Sequence, residues 1–232
     1  MENILLKMSI MLVPALMAIT CHEVSHGFVA NKLGDDTASR MGRLTLNPLK
    51  HLDILGTLMV FVIGIGWAKP VPVNFNNLRN PKRDMIWVAA AGPVTNFCLA
   101  FASAKTMQAI IMLWGGLSGS LPVMFIKPIV LMLAFSVYIN LLLAIFNLIP
   151  VPPLDGGRVA VGLLPYRQAV AYSRIEPFGM LIIIALIFLP DLLHLPSIFD
   201  HVIGPVLEIG VRLMAGKESV IISDVTQLLL RL

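Results

Sequence analysis

Residues 4–30 read ILLKMSIMLVPALMAITCHEVSHGFVA, and the fold of the chain turns on this stretch. Lys7 is its one charged residue before Glu23. Coiled as a helix it would be about 40 Å long, more than the roughly 30 Å of a bilayer's hydrocarbon core. A cleaved signal peptide needs a basic start and a small-residue cleavage site ahead of a mature domain. Here the apolar run leads into Cys21-His22-Glu23 instead, so a retained membrane helix is expected.

The rest of the chain agrees. Of 232 residues, 57% are hydrophobic and 13% are charged, and the mean hydropathy is +0.86. Soluble domains carry about 25% charged residues, so half of the usual solvated surface is missing. The net charge of +4 is no nucleic-acid signature, because the basic residues lie between apolar stretches. Cys21 and Cys98 are too few and too far apart for a disulfide framework and read as free thiols.

Further apolar stretches cover about 54–67, 86–104, 128–149 and 178–190, with a weaker one at 197–215. The expectation is a mainly α, multi-pass helical bundle of about five or six spans. The 54–67 stretch differs, being short, interrupted by Gly56, Gly64 and Gly66, and rich in β-branched residues. Basic residues flank it on both sides (Arg40, Arg43 and Lys50; Lys69, Arg79, Lys82 and Arg83). Crossing the membrane would put one cluster on the wrong side. A small re-entrant β segment near the cytosolic side, strands or a hairpin, is therefore expected. With 31–84 and 158–174 inside, eleven Lys and Arg are cytosolic, while Lys7, Lys105 and Lys127 fall outside.

His22-Glu23-Val24-Ser25-His26 is H-E-x-x-H on a helix. Histidines at i and i+4 share one face and can bind a single zinc ion. Glu23 lies about 100° round from His22, within reach of a water at the metal as general base. The competing reading is a pair of hydrogen-bonded histidines on a buried helix. Two facts favour the metal: charged groups inside a membrane cost about 2.5–3.5 kcal/mol each by insertion scales, and Glu23 is the acidic residue embedded in a spanning stretch. A catalytic zinc takes three protein ligands and one open position. His51, His194 and His201 lie in loops or in the weaker C-terminal stretch, so Asp155 in Pro150-Val151-Pro152-Pro153-Leu154-Asp155-Gly156-Gly157 is the third candidate. Its rival role is a turn aspartate capping the next helix. The charge count brings both motifs to similar depth near the cytosolic face.

At these residues the chain resembles the site-2 protease family of intramembrane metalloproteases, in its short prokaryotic members. The likeness covers about 15–165, through HEVSHG at 22–27, GRLTLNP at 42–48, GWAKPVPVN at 66–74, AAGPVTN at 90–96 and NLIPVPPLDGGRV at 147–159. The resemblance implies one zinc per chain on His22, His26 and Asp155, with Glu23 activating the water and Asn147 near the scissile bond. It also implies a substrate that is a transmembrane protein or peptide, unwound and added to a sheet edge, for which 43–46 and 54–75 are the candidates. Gly92, Pro93 and Asn96 match the family's central-helix motif, although Asn96 and Asn140 also suit plain interhelical hydrogen bonds. The whole of 1–232 then forms one intramembrane protease domain, with a catalytic core at about 4–165 and C-terminal helices at about 175–232. The bilayer is its surroundings, a prokaryotic cell membrane its expected place, and nucleic acid is no partner. The rival functions are a membrane zinc transporter and a catalytically silent relative that binds membrane proteins. A permeation path would want a second ligand-rich span, and the intact Glu23 speaks against silence.

Overall fold

A computed structural model describes residues 2–63, 66–116, 123–197 and 199–230. They form α1 (Glu2–Lys32), α2 (Thr37–Arg40), α3 (Ile54–Ile63), α4 (Pro81–Gly116), α5 (Val123–Asn147), α6 (Asp155–Leu163), α7 (Tyr166–Ser173), α8 (Gly179–Leu192), α9 (Gly204–Ala215) and α10 (Ser219–Leu230). Among the described residues, four stretches are long and apolar enough to cross a bilayer: Lys7–Lys32, Pro81–Leu113, Ile126–Asn147 and Tyr166–Pro190. The chain is a membrane protein, mainly helical.

Two expectations fail. Residues 54–63 are helical, and an isolated antiparallel bridge between Leu52 and Ala68 is the only β pairing among the described residues. Asp53 explains the change. Its side chain accepts from the Gly56 amide at 2.8 Å and its carbonyl from the Thr57 amide at 2.8 Å. Such a cap satisfies the orphan donors of a first helical turn, and it outweighs the weak β preference of the residues that follow. Gly64 and Ile65, within the predicted 54–67 segment, lie outside the described residues.

The predicted five or six spans are not supported either, since the described residues hold four candidates. The ten residues of α3 reach about 15 Å, half of a hydrocarbon core. The 197–215 stretch is divided into a π-helical turn at Phe199–Ile203 and the 12-residue α9, which stops at Gly216 with φ +57°.

The chain divides into two compact units. The first comprises Met1–Ala18, Asn96–Ile145 and Pro196–Leu232. Its core gathers Ile10, Met107, Val137, Leu141, Ile222 and Leu229, while Ala100, Ala104, Ala134 and Ala215 let backbones approach closely. Hydrogen bonds add polar rungs. The fully buried Asn96 donates to Asn140 Oδ1 at 2.8 Å and to the Ala18 carbonyl at 3.2 Å. Ser103 and Ser136 pair at 2.8 Å. The interhelical role considered for Asn96 and Asn140 is therefore the one observed. Phe101, Met112, Leu113 and Ile129 turn outward, as a lipid-facing surface requires.

The second unit comprises Ile19–Thr95 and Phe146–Leu195 and holds every residue singled out for chemistry. Just after α1, the fully buried Asp35 accepts from Asn74 N at 2.7 Å, Asn77 Nδ2 at 2.9 Å, Thr37 N at 3.2 Å and the Thr37 hydroxyl. Burial pushes its carboxyl up, and the donated hydrogen bonds outweigh this and hold it below the usual carboxylate range. Asp35 therefore stabilises the fold while ionised. That contribution is complete above the unfolded value of about 3.9 and is lost as pH falls through the lower folded value. Asp35→Ala should lower stability by about 3 kcal/mol at neutral pH, since several buried donors lose their acceptor. Thermal unfolding in detergent should show a wild-type-to-mutant gap that is flat from about pH 5 to 8 and shrinks below about pH 4.

Candidate metal centre

His22 and His26 sit one turn apart on α1 with ring centroids 4.7 Å apart and planes at 82°. His26 Nδ1 lies 2.7 Å from the Val88 carbonyl of α4. A carbonyl only accepts, so Nδ1 carries the proton and Nε2 presents its lone pair to the centre. His22 is buried, at 7% exposure.

Asp155 arrives from the loop after α5. Prolines end that helix, and the chain turns through Ile149–Leu154, with a cis bond between Pro152 and Pro153, to start α6 at Asp155. The turn is tight. A Cβ on Gly156 would lie 2.3 Å from the Leu148 carbonyl oxygen, and one on Gly157 would lie 2.4 Å from Pro152 N. Both positions are thus closed to any other residue without moving the loop. This packing sets Asp155 in the first turn of α6, 7% exposed.

Asp155 Oδ2 stands 3.0 Å from His22 Nε2 and 3.4 Å from His26 Nε2. It is buried yet accepts no well-formed hydrogen bond. Burial alone would raise the Asp155 carboxyl, but the two imidazoles outweigh it and hold it well below the usual range. One ligand atom from each of the three residues lies within 4.8 Å of the others. Gly92 of α4 completes the cradle. A Cβ there would fall 2.5 Å from both His22 Nε2 and His26 Nε2, so the glycine leaves open a space facing both nitrogens. Two imidazole nitrogens, one carboxylate and an open space are the donor set and room of a catalytic zinc site. The residues fit a metal ion.

Glu23 lies beside this centre, half-buried, with Oε2 accepting from the Val71 amide at 2.8 Å. Asn147 is the last residue of α5, half-buried, at the start of the loop that delivers Asp155. The structure thus brings His22, His26 and Asp155 together, with Glu23 adjoining. Sequence reading assigned no role to Gly92 and did not find the Val88 carbonyl. Gly92 was visible within AAGPVTN, but a backbone carbonyl has no side-chain signature.

Gly92→Ala should displace one or both imidazoles. The expected loss of zinc affinity is about 10- to 100-fold, the range seen when supporting groups around a metal are disturbed. A competition titration against a zinc chelator reads it directly, and unchanged affinity would show that the space beside Gly92 is irrelevant to the ion.

Residues 102–190 match the family model described as Peptidase family M50. The chain is 34% identical over 214 residues to "Putative zinc metalloprotease YwhC" of Bacillus subtilis, covering 92% of this chain and 90% of that protein. It is 29% identical over 188 residues to "Putative zinc metalloprotease Rip2" of Mycolicibacterium smegmatis, covering 76% of this chain and 66% of that protein. Over 143 residues it is 30% identical to "Putative zinc metalloprotease MJ0611" of Methanocaldococcus jannaschii, covering 60% of this chain and 62% of that protein. No solved structure matches it significantly.

Proposed function

This chain belongs to peptidase family M50, and on that premise we propose that it is a zinc metalloprotease hydrolysing peptide bonds in or near transmembrane segments of membrane proteins. The observation that carries the reading is the meeting of His22, His26 and Asp155 within 4.8 Å. These three residues would hold the zinc, one ion per chain. When bound, zinc polarises the scissile carbonyl and makes a water more acidic.

Glu23 does the proton work. With Oε2 engaged by Val71, Oε1 remains to take a proton from the attacking water. The water oxygen bonds to the carbonyl carbon, the C–N bond breaks, and Glu23 returns the proton to the departing nitrogen. Asn147 would donate its side-chain amide to the developing oxyanion. The site lies toward the cytosol, where the positive-inside rule puts the basic 31–84 and 158–174 segments. The catalytic core occupies about 4–165, and the helices from about 175 onward accompany it in the same domain.

The test uses the purified chain reconstituted in liposomes with a single-span peptide substrate. Zinc-dependent cleavage, with products ending inside or next to the span, is expected. Zinc flux across the liposome without cleavage would contradict the proposal and favour a transporter.

A further inference from the structure

Arg43, from the GRLTLNP stretch, has no part in the chemistry above, yet it is a guanidinium with only 9% exposure. Its Nη2 donates to the Lys69 carbonyl at 3.0 Å and the Pro70 carbonyl at 3.3 Å. Its Nε is buried without a partner. A buried cation that spends its donors on two backbone carbonyls is expensive to maintain for packing alone.

The second of those carbonyls carries the inference. Pro70 C=O and Val71 N–H belong to one peptide group, and that N–H is the donor 2.8 Å from Glu23 Oε2. Arg43 pulls on the oxygen of a peptide whose hydrogen is held by the Glu23 carboxylate. Hydrogen bonds in such a chain polarise and strengthen one another. Pro70 and Pro72 have no N–H, so Val71 is the sole amide donor between Lys69 and Val73. A one-residue slip of the segment would bring a proline to Glu23 and lose the bond.

Other contacts limit the remaining freedom. Lys69 N donates to the His51 carbonyl at 2.8 Å. Val71 packs against α1 so closely that a Cβ on Gly27 would be 2.7 Å from Val71 Cγ1. The lateral pull that sets the Pro70–Val71 peptide plane is left to Arg43.

The geometry points to Arg43 as a positioning residue for the proton-transfer step: it fixes the orientation of the Glu23 carboxylate through the Pro70–Val71 peptide. This rests on the reading of Glu23 as the general base. The hydrogen bonds of Arg43 go to the Lys69 and Pro70 carbonyls and it is outside the His22, His26 and Asp155 group, so its effect is expected on Glu23 and not on zinc.

Arg43→Met keeps the side-chain stem and removes the donors. Three readouts are expected to move together. The kcat falls by about 100-fold, the scale of a catalytic group misplaced by about 1 Å, with KM little changed. Zinc content stays at the wild-type value. Hydrogen exchange at the Val71 amide, which a 70–72 fragment reports alone because its other residues are prolines, accelerates about tenfold. Arg43→Lys, which can donate to the same carbonyls, restores most of the kcat. In a Glu23→Gln background Arg43→Met removes no further activity, because the two act as one unit.

Unchanged kcat in Arg43→Met overturns the inference, and so does an equal proportional loss with and without Glu23. Loss of zinc in both Arg43 variants makes the residue structural and overturns it too. A wild-type chain that cleaves nothing sinks the protease reading instead. The Val71 exchange rate would then still decide whether Arg43 holds that peptide, and an unaltered rate would end the claim.

Discussion

Replacing Glu23 by glutamine should lower peptide-bond hydrolysis by about 10²- to 10⁴-fold, the usual contribution of a positioned acid–base group, while zinc remains bound. The substitution nearly conserves shape. The Gln side-chain oxygen can still accept from the Val71 amide, so the contact at 2.8 Å survives. The carboxylate alone is lost, and with it the ability to take a proton from water and return it to the departing nitrogen. Glu23 is outside the His22, His26 and Asp155 group, so the donor set for the ion is untouched. Measuring kcat and zinc content on the same preparation separates the roles. Wild-type activity in Glu23→Gln would mean that the proton travels by another route.

Asp155→Asn should weaken zinc binding by at least about 100-fold, beyond what loss of supporting groups alone produces. The amide keeps the volume of the carboxylate but removes the negative charge that a dication held by two neutral imidazoles requires. Its site is closed by the Gly156–Leu148 and Gly157–Pro152 contacts, so the loop cannot swing away to accommodate the change. Burial at 7% exposure leaves little solvent to compensate. The fold should remain, because the backbone contacts that close the loop do not use the carboxylate and the Asp35 cluster lies elsewhere in the unit. A zinc-buffered titration gives the affinity, and near-normal binding would remove Asp155 from the ligand set.

The ligand residues were the most legible part of the chain. Helical spacing puts His22 and His26 on one face whatever the surroundings, and the proline and glycine pattern around Asp155 marks a helix end and a tight turn without reference to the rest. Zinc chemistry then asks for a third ligand, and few candidates lay outside the loops and the C-terminal region, although His51 proves buried and bonded to the Thr45 carbonyl. The 54–63 segment was misread for a definite reason. Its β-branched residues were given more weight than Asp53, whose cap supplies acceptors to the first turn of a helix. The span count erred with it, since α3 and α9 are apolar but too short. The supporting groups were the least legible. Val88 acts through its carbonyl and Val71 through its amide, and Gly92 acts by having no side chain. Such roles depend on where the fold puts a backbone atom, which composition and periodicity do not encode.

Zinc content per chain, measured by elemental analysis on the purified wild type beside His22→Ala, His26→Ala, Asp155→Ala and Glu23→Gln, tests the central claim most directly. About one zinc per chain is expected in the wild type and in Glu23→Gln, as for a site with three protein ligands, and little or none in the other three. Zinc that persists unchanged in Asp155→Ala would show that the two motifs do not share an ion, and the protease reading would lose its physical basis.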